Sequence, residues 1–299
     1  MTITVAVCTG GRESLVETVR SIGRQSRPPE KLLVIDQSGS GKGKLAVEAA
    51  AYPFSVEVVD QDVKGLSHAR NEALRRVDTD WLFFTDDDCL AAVELVDQVH
   101  KVSERYPEAS FIAGSCIRPL YYNPETHHAP GVCIGREVEL NQATVVTEQV
   151  FMGACLAFRK ALLEAVGEFD AYLGAGTEWP SGEEYDYVLR AILKGFKGRS
   201  SARLVVFHEY GARERPPGGI EANYVGNAVV LWKMRQMGSQ AGIEMAQRIY
   251  PAGRRRALIA KLTLGRKYAD QLRMLERCQE LERRLDREFV VENELIRRR

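Results

Sequence analysis

Short apolar runs and amphipathic segments alternate along the first hundred residues. The apolar runs predict strands at residues 3–8, 32–35, 54–59 and 81–85. The amphipathic segments predict helices at residues 13–23, 45–52, 66–77 and 91–106. Because parallel strands need crossover helices and are buried on both faces, this alternation predicts an α/β fold with a mainly parallel sheet flanked by helices. Ligands of such sheets bind beyond the carboxyl ends of the strands.

The middle of the chain is less regular. Residues 118–146 contain several prolines and no clean periodicity, which predicts a long functional loop. Regular patterns return in predicted strands at 149–158 and 202–207 and predicted helices at 160–166 and 183–194. The run Pro216-Pro217-Gly218-Gly219 indicates a boundary, after which the chain is predicted to be all helical. We therefore predict one domain over residues 1–219 and a helical region over residues 220–299.

Composition excludes several classes of protein. The 299 residues contain 41 basic and 41 acidic side chains, and this zero net charge argues against a nucleic-acid partner. The six cysteines are scattered with no Cys-x-x-Cys pair, which favours a reducing compartment over a disulfide framework. No apolar run reaches the length of a membrane span, and the first residues read directly as a strand rather than a signal peptide. A soluble cytoplasmic α/β protein is the expectation.

The last fifty residues are basic and carry a leucine stripe. Residues 250–299 contain fourteen basic and eight acidic side chains, an excess of six positive charges. The stripe consists of Leu272, Leu275, Leu281, Leu285 and Phe289. Two interpretations stay open: peripheral contact with an anionic membrane at its inner face, or an arm for packing or homodimer formation. The intermixed acidic residues favour the arm.

Three consecutive acids follow the apolar run that begins at Trp81. Asp86, Asp87 and Asp88 lie where a buried strand ends, and carboxylates near a core need a partner. Side chains at i and i+2 of an extended segment point to one side, so Asp86 and Asp88 can converge on a divalent cation such as Mg²⁺ or Mn²⁺. The alternative is that an acid caps the helix that follows.

Several segments, in this order, resemble motifs of the family 2 glycosyltransferases with the GT-A fold. These segments are residues 5–12, 19–25, 34–40, 65–71, 86–88, 167–170 and 182–186. The resemblance covers about residues 3–235 and is specific in its order and spacing. It implies a GT-A fold with a Rossmann-like sheet, a nucleotide-sugar half at about 1–115 and an acceptor half at about 116–219.

The resemblance also implies an activity. Such an enzyme moves a sugar from a nucleoside-diphosphate sugar to an acceptor hydroxyl (of a sugar, glycan or lipid-linked glycan) with inversion at the anomeric carbon, in the biosynthesis of glycans, polysaccharides or glycoconjugates. By the same resemblance Asp86 and Asp88 hold Mn²⁺ or Mg²⁺, and His208, which follows the last predicted strand, is a further candidate ligand. An ordinary hydrogen-bonded histidine is the alternative at His208.

The matching positions identify candidate donor contacts. They are Thr9, Gly10, Gly11, Arg12, Asp36, Ser38, Arg70, Asp86 and Asp87. Gln37 departs from the family because it stands where a second Asp is usual. The resemblance therefore does not determine which base the donor nucleotide carries. An ordinary turn is the alternative for Thr9–Gly11 and for Asp36, and a surface salt bridge is the alternative for Arg70.

The acidic start of the helix at 183–194 carries the candidate base. Glycosyl transfer to a hydroxyl needs a group that takes the acceptor proton. By resemblance Glu184 is the first candidate, followed by Glu183 and Asp186; the alternative is an acidic first turn that the helix dipole stabilises. Trp179 and Glu178 contact the acceptor in one interpretation and anchor their loop in the other.

Two rival functions stay open. A nucleotidyltransferase that makes a nucleotide sugar also uses metal-binding carboxylates on an α/β sheet, and it would release pyrophosphate instead of a nucleoside diphosphate. A catalytically inert nucleotide-sugar-binding scaffold would bind the donor without turnover, and the residues at 37 and 184 are its support. The first strand is not followed by Gly-x-Gly-x-x-Gly, which argues against a dinucleotide-dependent oxidoreductase.

Overall fold

The computed structural model describes residues 1–48, 51–123, 125–144, 151–214, 221–249 and 269–299. Its strands are β1 (Ile3–Thr9), β2 (Lys31–Asp36), β3 (Ser55–Asp60), β4 (Trp81–Asp86), β5 (Leu90–Ala91), β6 (Ala109–Ile117), β7 (His127–His128), β8 (Glu139–Leu140), β9 (Leu156–Arg159), β10 (Lys197–Phe207), β11 (Arg213–Glu214), β12 (Phe289–Glu292) and β13 (Leu295–Arg298). Its helices are α1 (Leu15–Gly23), α2 (Lys42–Glu48), α3 (Leu66–Arg76), α4 (Leu95–Arg105), α5 (Lys160–Val166), α6 (Glu183–Leu193), α7 (Glu221–Gln236), α8 (Gln240–Ile249) and α9 (Ala269–Glu288).

The central sheet has the strand order β3-β2-β1-β4-β9-β6-β10-β5. The first four strands in this order are parallel, as the alternating pattern predicts. The register pairs Thr9 with Asp36 and Cys8 with Asp86, so the carboxyl ends of β1, β2 and β4 meet at one edge. The first predicted donor and metal residues therefore share that edge.

The other half of the sheet is mixed. The strand predicted at 149–158 begins only at Leu156 and runs antiparallel between β4 and β6. Residues 153–155 before it form a single helical turn, and residues 145–150 lie outside the described part of the chain. Strands β6 and β10 then pair in parallel again.

Both faces of the sheet are buried. Along β1, Ile3, Val5 and Val7 pack into one apolar cluster, whereas Ala6 and Cys8 pack into a second cluster on the opposite face. This two-sided burial explains why the first strands are near-continuous apolar runs, because a sheet covered by helices on both faces has no polar side.

The end of the chain differs from the all-helical prediction. Strands β12 and β13 form an antiparallel hairpin whose turn, Asn293 and Glu294, has positive φ at both positions. Two-residue turns of this kind match the twist of the flanking strands. Phe289 is therefore the first residue of a strand rather than the end of a helical stripe. The predicted boundary at 216–219 and the predicted helix over 250–268 lie outside the described residues.

The C-terminal elements share the apolar core on one face of the main sheet rather than standing apart. Leu285, Phe289 and Ile296 are fully buried and belong to the same apolar cluster as β9 and α6. Within the described part of the chain, every helix is too short or too polar to span a lipid bilayer.

Candidate functional site

Two neighbouring cavities open at the carboxyl edge of the sheet. The first cavity has a volume of about 680 Å³ and is lined by residues that include Thr9, Gly10, Arg12, Gln37, Lys64, Asp86, Asp87, Asp88 and His208. The second cavity, of about 350 Å³, is lined by residues that include Arg70, Asp86, Arg118, Tyr122, Glu183, Glu184 and Tyr185. Asp86 belongs to both walls, so one carboxylate faces both spaces.

The acidic triplet at the end of β4 is held by side chains from β1 and the turn after it. The Thr9 hydroxyl donates to Asp87 Oδ2 at 2.6 Å, and the Arg12 guanidinium contacts both Asp87 and Asp88. Burial raises the pKa of Asp87 above its ordinary value, although the nearby Arg12 opposes that effect. Asp86 is the more exposed of the three, at the cavity wall.

Asp86, Asp88, Cys89 and His208 offer ligand atoms that all lie within 4.8 Å of one another. Two carboxylates and an imidazole are a donor set that Mn²⁺ accepts, and Mg²⁺ accepts its carboxylates. These residues therefore fit the divalent metal that the resemblance implies.

His208 occupies the far side of this cluster. Its Nε2 lies 3.1 Å from Asp88 Oδ1, and its Nδ1 lies 2.9 Å from the Pro130 carbonyl oxygen. Burial lowers the pKa of His208, but hydrogen bonds to Cys116 and Pro130 favour the protonated ring and leave the pKa above its ordinary value. Gly211 lies against the imidazole, where a Cβ atom would come within 2.0 Å of Nε2.

Asp36 and Ser38 line neither cavity. The Asp36 carboxylate accepts hydrogen bonds from the backbone N–H groups of Ser38 and Gly43, each at 2.7 Å. Burial raises its pKa, but these hydrogen bonds outweigh burial and leave the pKa below the ordinary value. These hydrogen bonds fit the turn-forming role that was the alternative for Asp36, and its contact with a donor stays a prediction.

Gln37 holds the loop that closes one side of the first cavity. Its amide nitrogen donates to the carbonyl oxygens of Val63 and Gly65 and to the side-chain oxygen of Gln61. Lys64, in the same loop, lines the first cavity and is the one basic wall residue that the motifs did not single out. A lone lysine in a loop carries no sequence signal of its own.

The turn after β1 requires a glycine at position 11. Gly11 has φ of +95°, and a Cβ atom there would lie 2.6 Å from Ser38 Cβ. Gly11 therefore lets the β1 and β2 turns approach each other, whereas Thr9 and Gly10 line the cavity itself.

Arg70 connects the acidic triplet with helix α6. Its guanidinium is buried, donates to Glu183 at 2.9 Å and lies 4.0 Å from Asp86. The ring centroids of Phe84 and Phe169 each lie 5.5 Å from the guanidinium carbon. The surface salt bridge that was the alternative for Arg70 is therefore excluded.

Helix α6 brings the candidate base to the second cavity. Gly182 precedes the helix in a left-handed conformation, and Glu183 is paired with Arg70. Glu184 is partly exposed at the cavity wall, where burial and the neighbouring Glu183 raise its pKa to about 8. The nearby Arg70 opposes that shift without cancelling it.

Asp186 belongs to a different environment. It is fully buried, lines neither cavity, and pairs with Arg190 at 2.9 Å and with Lys233 at 2.7 Å. Lys233 also pairs with Asp170 at 2.7 Å. These four residues form a buried network, which we call the Lys233 cluster, and the structure does not bring Asp186 to the cavities with Glu184.

The loop before α6 is held from two sides. Trp179 is buried against Tyr172 and Phe289, with ring centroids 5.6 and 5.1 Å away. Glu178 pairs with Arg284 of α9. Both residues therefore anchor their loop, as one of the two interpretations holds, and neither lines either of the two cavities described above.

Comparison with known proteins gives the family and the fold. The family model described as "Glycosyl transferase family 2" matches residues 3–167. An uncharacterized glycosyltransferase of Haemophilus influenzae is 24% identical over 184 residues, which cover 58% of this chain. The match spans 56% of the length of that relative.

Solved structures share the architecture at low sequence identity. S. aureus TarS 1-349 in complex with UDP-GlcNAc has a TM-score of 0.64 at 15% identity, covering 93% of this chain and 80% of that one. The mannosyltransferase PcManGT from Pyrobaculum calidifontis, in complex with GDP-Man and Mn²⁺, has a TM-score of 0.57 at 19% identity, covering 93% and 79%. The predicted GT-A type α/β fold is confirmed.

Proposed function

This chain belongs to glycosyltransferase family 2, and on that premise we propose that it transfers a sugar from a nucleoside-diphosphate sugar to an acceptor hydroxyl, with a divalent metal and inversion at the anomeric carbon. The observation that carries the proposal is the shared wall of the two cavities. Asp86 lies between the space that the acidic triplet lines and the space that Glu184 lines. A donor in the first cavity and an acceptor in the second would meet there.

The first cavity suits the donor. Arg12 and Lys64 supply positive charge for a diphosphate, and Thr9 and Gly10 leave room for the nucleotide to approach the backbone. Asp86, Asp88 and His208 would hold Mn²⁺ or Mg²⁺, which when bound would neutralise the charge that develops on the leaving diphosphate. The solved structures that share the fold hold UDP-GlcNAc in one case and GDP-Man with Mn²⁺ in another, which supports a nucleotide-sugar donor without selecting the base.

The second cavity suits the acceptor. Glu184 takes the proton of the acceptor hydroxyl while that oxygen attacks the anomeric carbon from the face opposite the diphosphate. The bond between the anomeric carbon and the phosphate oxygen breaks, and its electron pair leaves with the nucleoside diphosphate. One displacement of this kind inverts the configuration. Arg70 keeps Glu183 paired, so Glu184 is the carboxylate available to the acceptor.

The proposal divides the chain as its motifs suggest. The nucleotide-sugar half is about 1–115, the acceptor half is about 116–219, and the C-terminal region over residues 220–299 follows. A sugar, glycan or lipid-linked glycan as acceptor, a cytoplasmic setting and a membrane or homodimer contact through the C-terminal region stay predictions. No observation on the described residues favours the nucleotidyltransferase or the inert scaffold.

A ligand screen tests this function. Thermal unfolding is measured with nucleoside diphosphates and nucleotide sugars, each with and without Mn²⁺, because a ligand that binds the native state raises the melting temperature by mass action. The best donor is then assayed for transfer, and NMR of the product gives its anomeric configuration. Absence of a stabilising donor, or a product that retains the donor's configuration, would contradict the proposal.

Metal dependence is tested at Asp88. We expect Asp88→Ala to abolish the Mn²⁺-dependent part of the donor's stabilising effect. The matched control is Asp97→Asn, which alters a carboxylate on α4 that pairs with Lys101. Equal Mn²⁺ dependence in Asp88→Ala and wild type would remove Asp88 from the proposed metal site.

A further inference from the structure

The second cavity contains a positive charge that no protein group neutralises. Its wall carries two arginines, Arg70 and Arg118, and three acids, Asp86, Glu183 and Glu184. Arg70 pairs with Glu183 at 2.9 Å and lies 4.0 Å from Asp86. Arg118 is exposed at the wall, and in the described part of the chain it pairs with no carboxylate. Its charge is therefore available to a ligand.

The Arg118 side chain is held in one direction. Its Nε donates to the Ala129 carbonyl oxygen at 2.7 Å, and its guanidinium carbon lies 5.3 Å from the centroid of the Tyr122 ring. A Cβ atom at Gly131 would lie 2.7 Å from Arg118 Cγ, so the aliphatic stem lies directly against the backbone there. Because Nε is occupied, the two terminal nitrogens are the donors left for a ligand. A planar pair of this kind matches two oxygens of one carboxylate or phosphate.

The backbone of the loop after β6 fixes the partner of Arg118. Arg118 follows the strand directly and begins the stretch 118–146, which the sequence predicts to be a functional loop. Cys116 and Val132 exchange backbone hydrogen bonds of 2.8 and 2.9 Å, which bring the loop back beside the strand. Ala129 is thereby placed where its carbonyl oxygen accepts from Arg118. An arginine positioned in this way loses less conformational entropy when it binds an anion.

We propose that Arg118 binds an oxyanion of the acceptor, a phosphate or a carboxylate group, and makes the chain selective for an anionic carbohydrate. This inference rests on the proposed function, which assigns the second cavity to the acceptor. Arg118 lines that cavity only, whereas Arg12 and Lys64 line the first cavity, where they face the donor diphosphate. Tyr122 and Tyr185 on the wall of the second cavity offer aromatic surface to the sugar ring that carries the anion.

Ligand-observed NMR tests the oxyanion site in the absence of any donor. Saturation-transfer difference spectra of the full chain are recorded with glucose 6-phosphate, with glucuronate and with uncharged glucose, and titrations give the dissociation constants. We expect at least one anionic probe to bind wild type about tenfold or more tightly than glucose, because a hydrogen bond to a charged group contributes about that factor. Binding of glucose 6-phosphate alone identifies a phosphate site, and binding of glucuronate alone a carboxylate site.

Variants locate the bound probe. Arg118→Gln should weaken binding of the anionic probe about tenfold or more, and Arg118→Lys should weaken it less, because the charge remains. The matched control is Arg203→Gln, which alters an exposed arginine on β10 that lines neither cavity and should leave binding unchanged. Lys64→Gln removes a charge from the first cavity instead.

Three results would overturn the proposal: no binding of either anion to wild type, equal binding of glucose and the anions, or loss of binding in Lys64→Gln with full binding in Arg118→Gln. Circular dichroism checks that each variant is folded. Should Arg118→Gln fail to fold, Arg118→Lys and the contrast between charged and uncharged probes on wild type decide.

Donor hydrolysis separates this inference from the proposed function. With the donor that the ligand screen selects, release of the nucleoside diphosphate to water is followed without an acceptor. Arg118→Gln should release it at the wild-type rate and with the wild-type KM for the donor, because Arg118 lines only the second cavity. A raised donor KM in Arg118→Gln would assign the arginine to the donor and overturn the inference. Absence of release in wild type would contradict the proposed function, whereas the NMR titration alone decides the oxyanion site.

Discussion

Glu184 combines a raised pKa with a place in the second cavity. Because its pKa is about 8, the carboxyl group is protonated over much of the neutral range, and a base must be ionised to take a proton. We expect the rate of transfer to rise with pH up to about 8. Glu184→Gln should keep donor binding and lower the rate by about 100-fold or more. Steady-state kinetics across pH, beside a donor-binding assay, measure both.

The exposed Glu164 on α5 provides the control for this prediction, since Glu164→Gln should leave the pH profile unchanged. Near-normal transfer by Glu184→Gln would show that another group takes the proton. The raised pKa also has a stability consequence, because the native state holds the proton more tightly than the unfolded chain. The free energy of unfolding should therefore fall as pH rises from 4.5 to about 8 in wild type, and less so in Glu184→Gln.

A second prediction concerns the side-chain amide of Gln37. In Gln37→Glu a carboxylate oxygen would replace the amide nitrogen that donates to Val63 and Gly65, and it would face their carbonyl oxygens instead. We expect a loss of about 1–3 kcal/mol in the free energy of unfolding, measured with denaturant, and weaker donor binding. Gln37→Met removes the donor without adding charge, so its effect on donor affinity should be smaller. Equal effects of the two variants would exclude repulsion as the cause.

Sequence reasoning at single residues succeeded where the local motif determines the place of a side chain. Asp86 and Asp88 were predicted to converge at the end of β4, and their ligand atoms lie within 4.8 Å of each other. Asp36 was less predictable, because its motif fits a ligand contact and a turn equally well, and only the positions of the Ser38 and Gly43 N–H groups distinguish them. The place of Lys64 at the cavity depends on a loop whose course the sequence does not reveal.

The close packing of helix α6 against α7 depends on Gly182, the residue before α6. Gly182 has φ of +92°, and a Cβ atom there would lie 3.1 Å from the carbonyl carbon of Gly226 on α7. Gly195, after the same helix, has φ of +89° with open space around it. Gly195→Ala therefore measures the cost of the backbone conformation alone, which should be about 1–2 kcal/mol.

We expect Gly182→Ala to cost more than Gly195→Ala and, unlike it, to slow transfer, because α7 and α6 must separate at the start of the base helix. Denaturant unfolding and steady-state kinetics of the two variants give the comparison. If Gly182→Ala unfolds and turns over like Gly195→Ala, close packing of α6 on α7 does not position the base.

The helices and strands that could be predicted are those in which burial determines the spacing of apolar residues within a single segment of the chain. Strands β1 to β4 were predicted within a few residues because apolar runs of that length need a covered sheet. The direction of β9 was not, because pairing with β4 and β6 is decided by partners far along the chain. The hairpin β12–β13 was missed although short apolar runs flank Asn293 and Glu294, because the preceding leucine stripe extends helical spacing to Phe289.

The C-terminal hairpin supports the loop that leads to Glu184, the proposed base. Phe289 packs on Trp179 and Tyr172, and the backbone N–H of Ile296 donates to Asp170 at 2.8 Å. We expect Phe289→Ala to lower the free energy of unfolding by about 3–5 kcal/mol and to reduce the rate of transfer with little change in donor affinity. Denaturant unfolding, steady-state kinetics and donor binding measure the three quantities.

Arg297 lies on the same hairpin and is exposed, so Arg297→Ala should change none of these quantities. A fall in donor affinity equal to the fall in rate would show that Phe289 acts on the whole fold rather than on the loop before Glu184. This arrangement could not be predicted from the sequence, because it joins residues more than a hundred positions apart.

The Lys233 cluster has a consequence for how this chain can change over evolution. Asp170, Asp186, Arg190 and Lys233 carry two negative and two positive charges out of contact with water. Loss of any one of them strands an uncompensated charge in the interior, whereas replacement of the whole set by apolar residues of similar volume can be neutral. In an alignment of relatives, the four positions should therefore covary, either all retained or all replaced together.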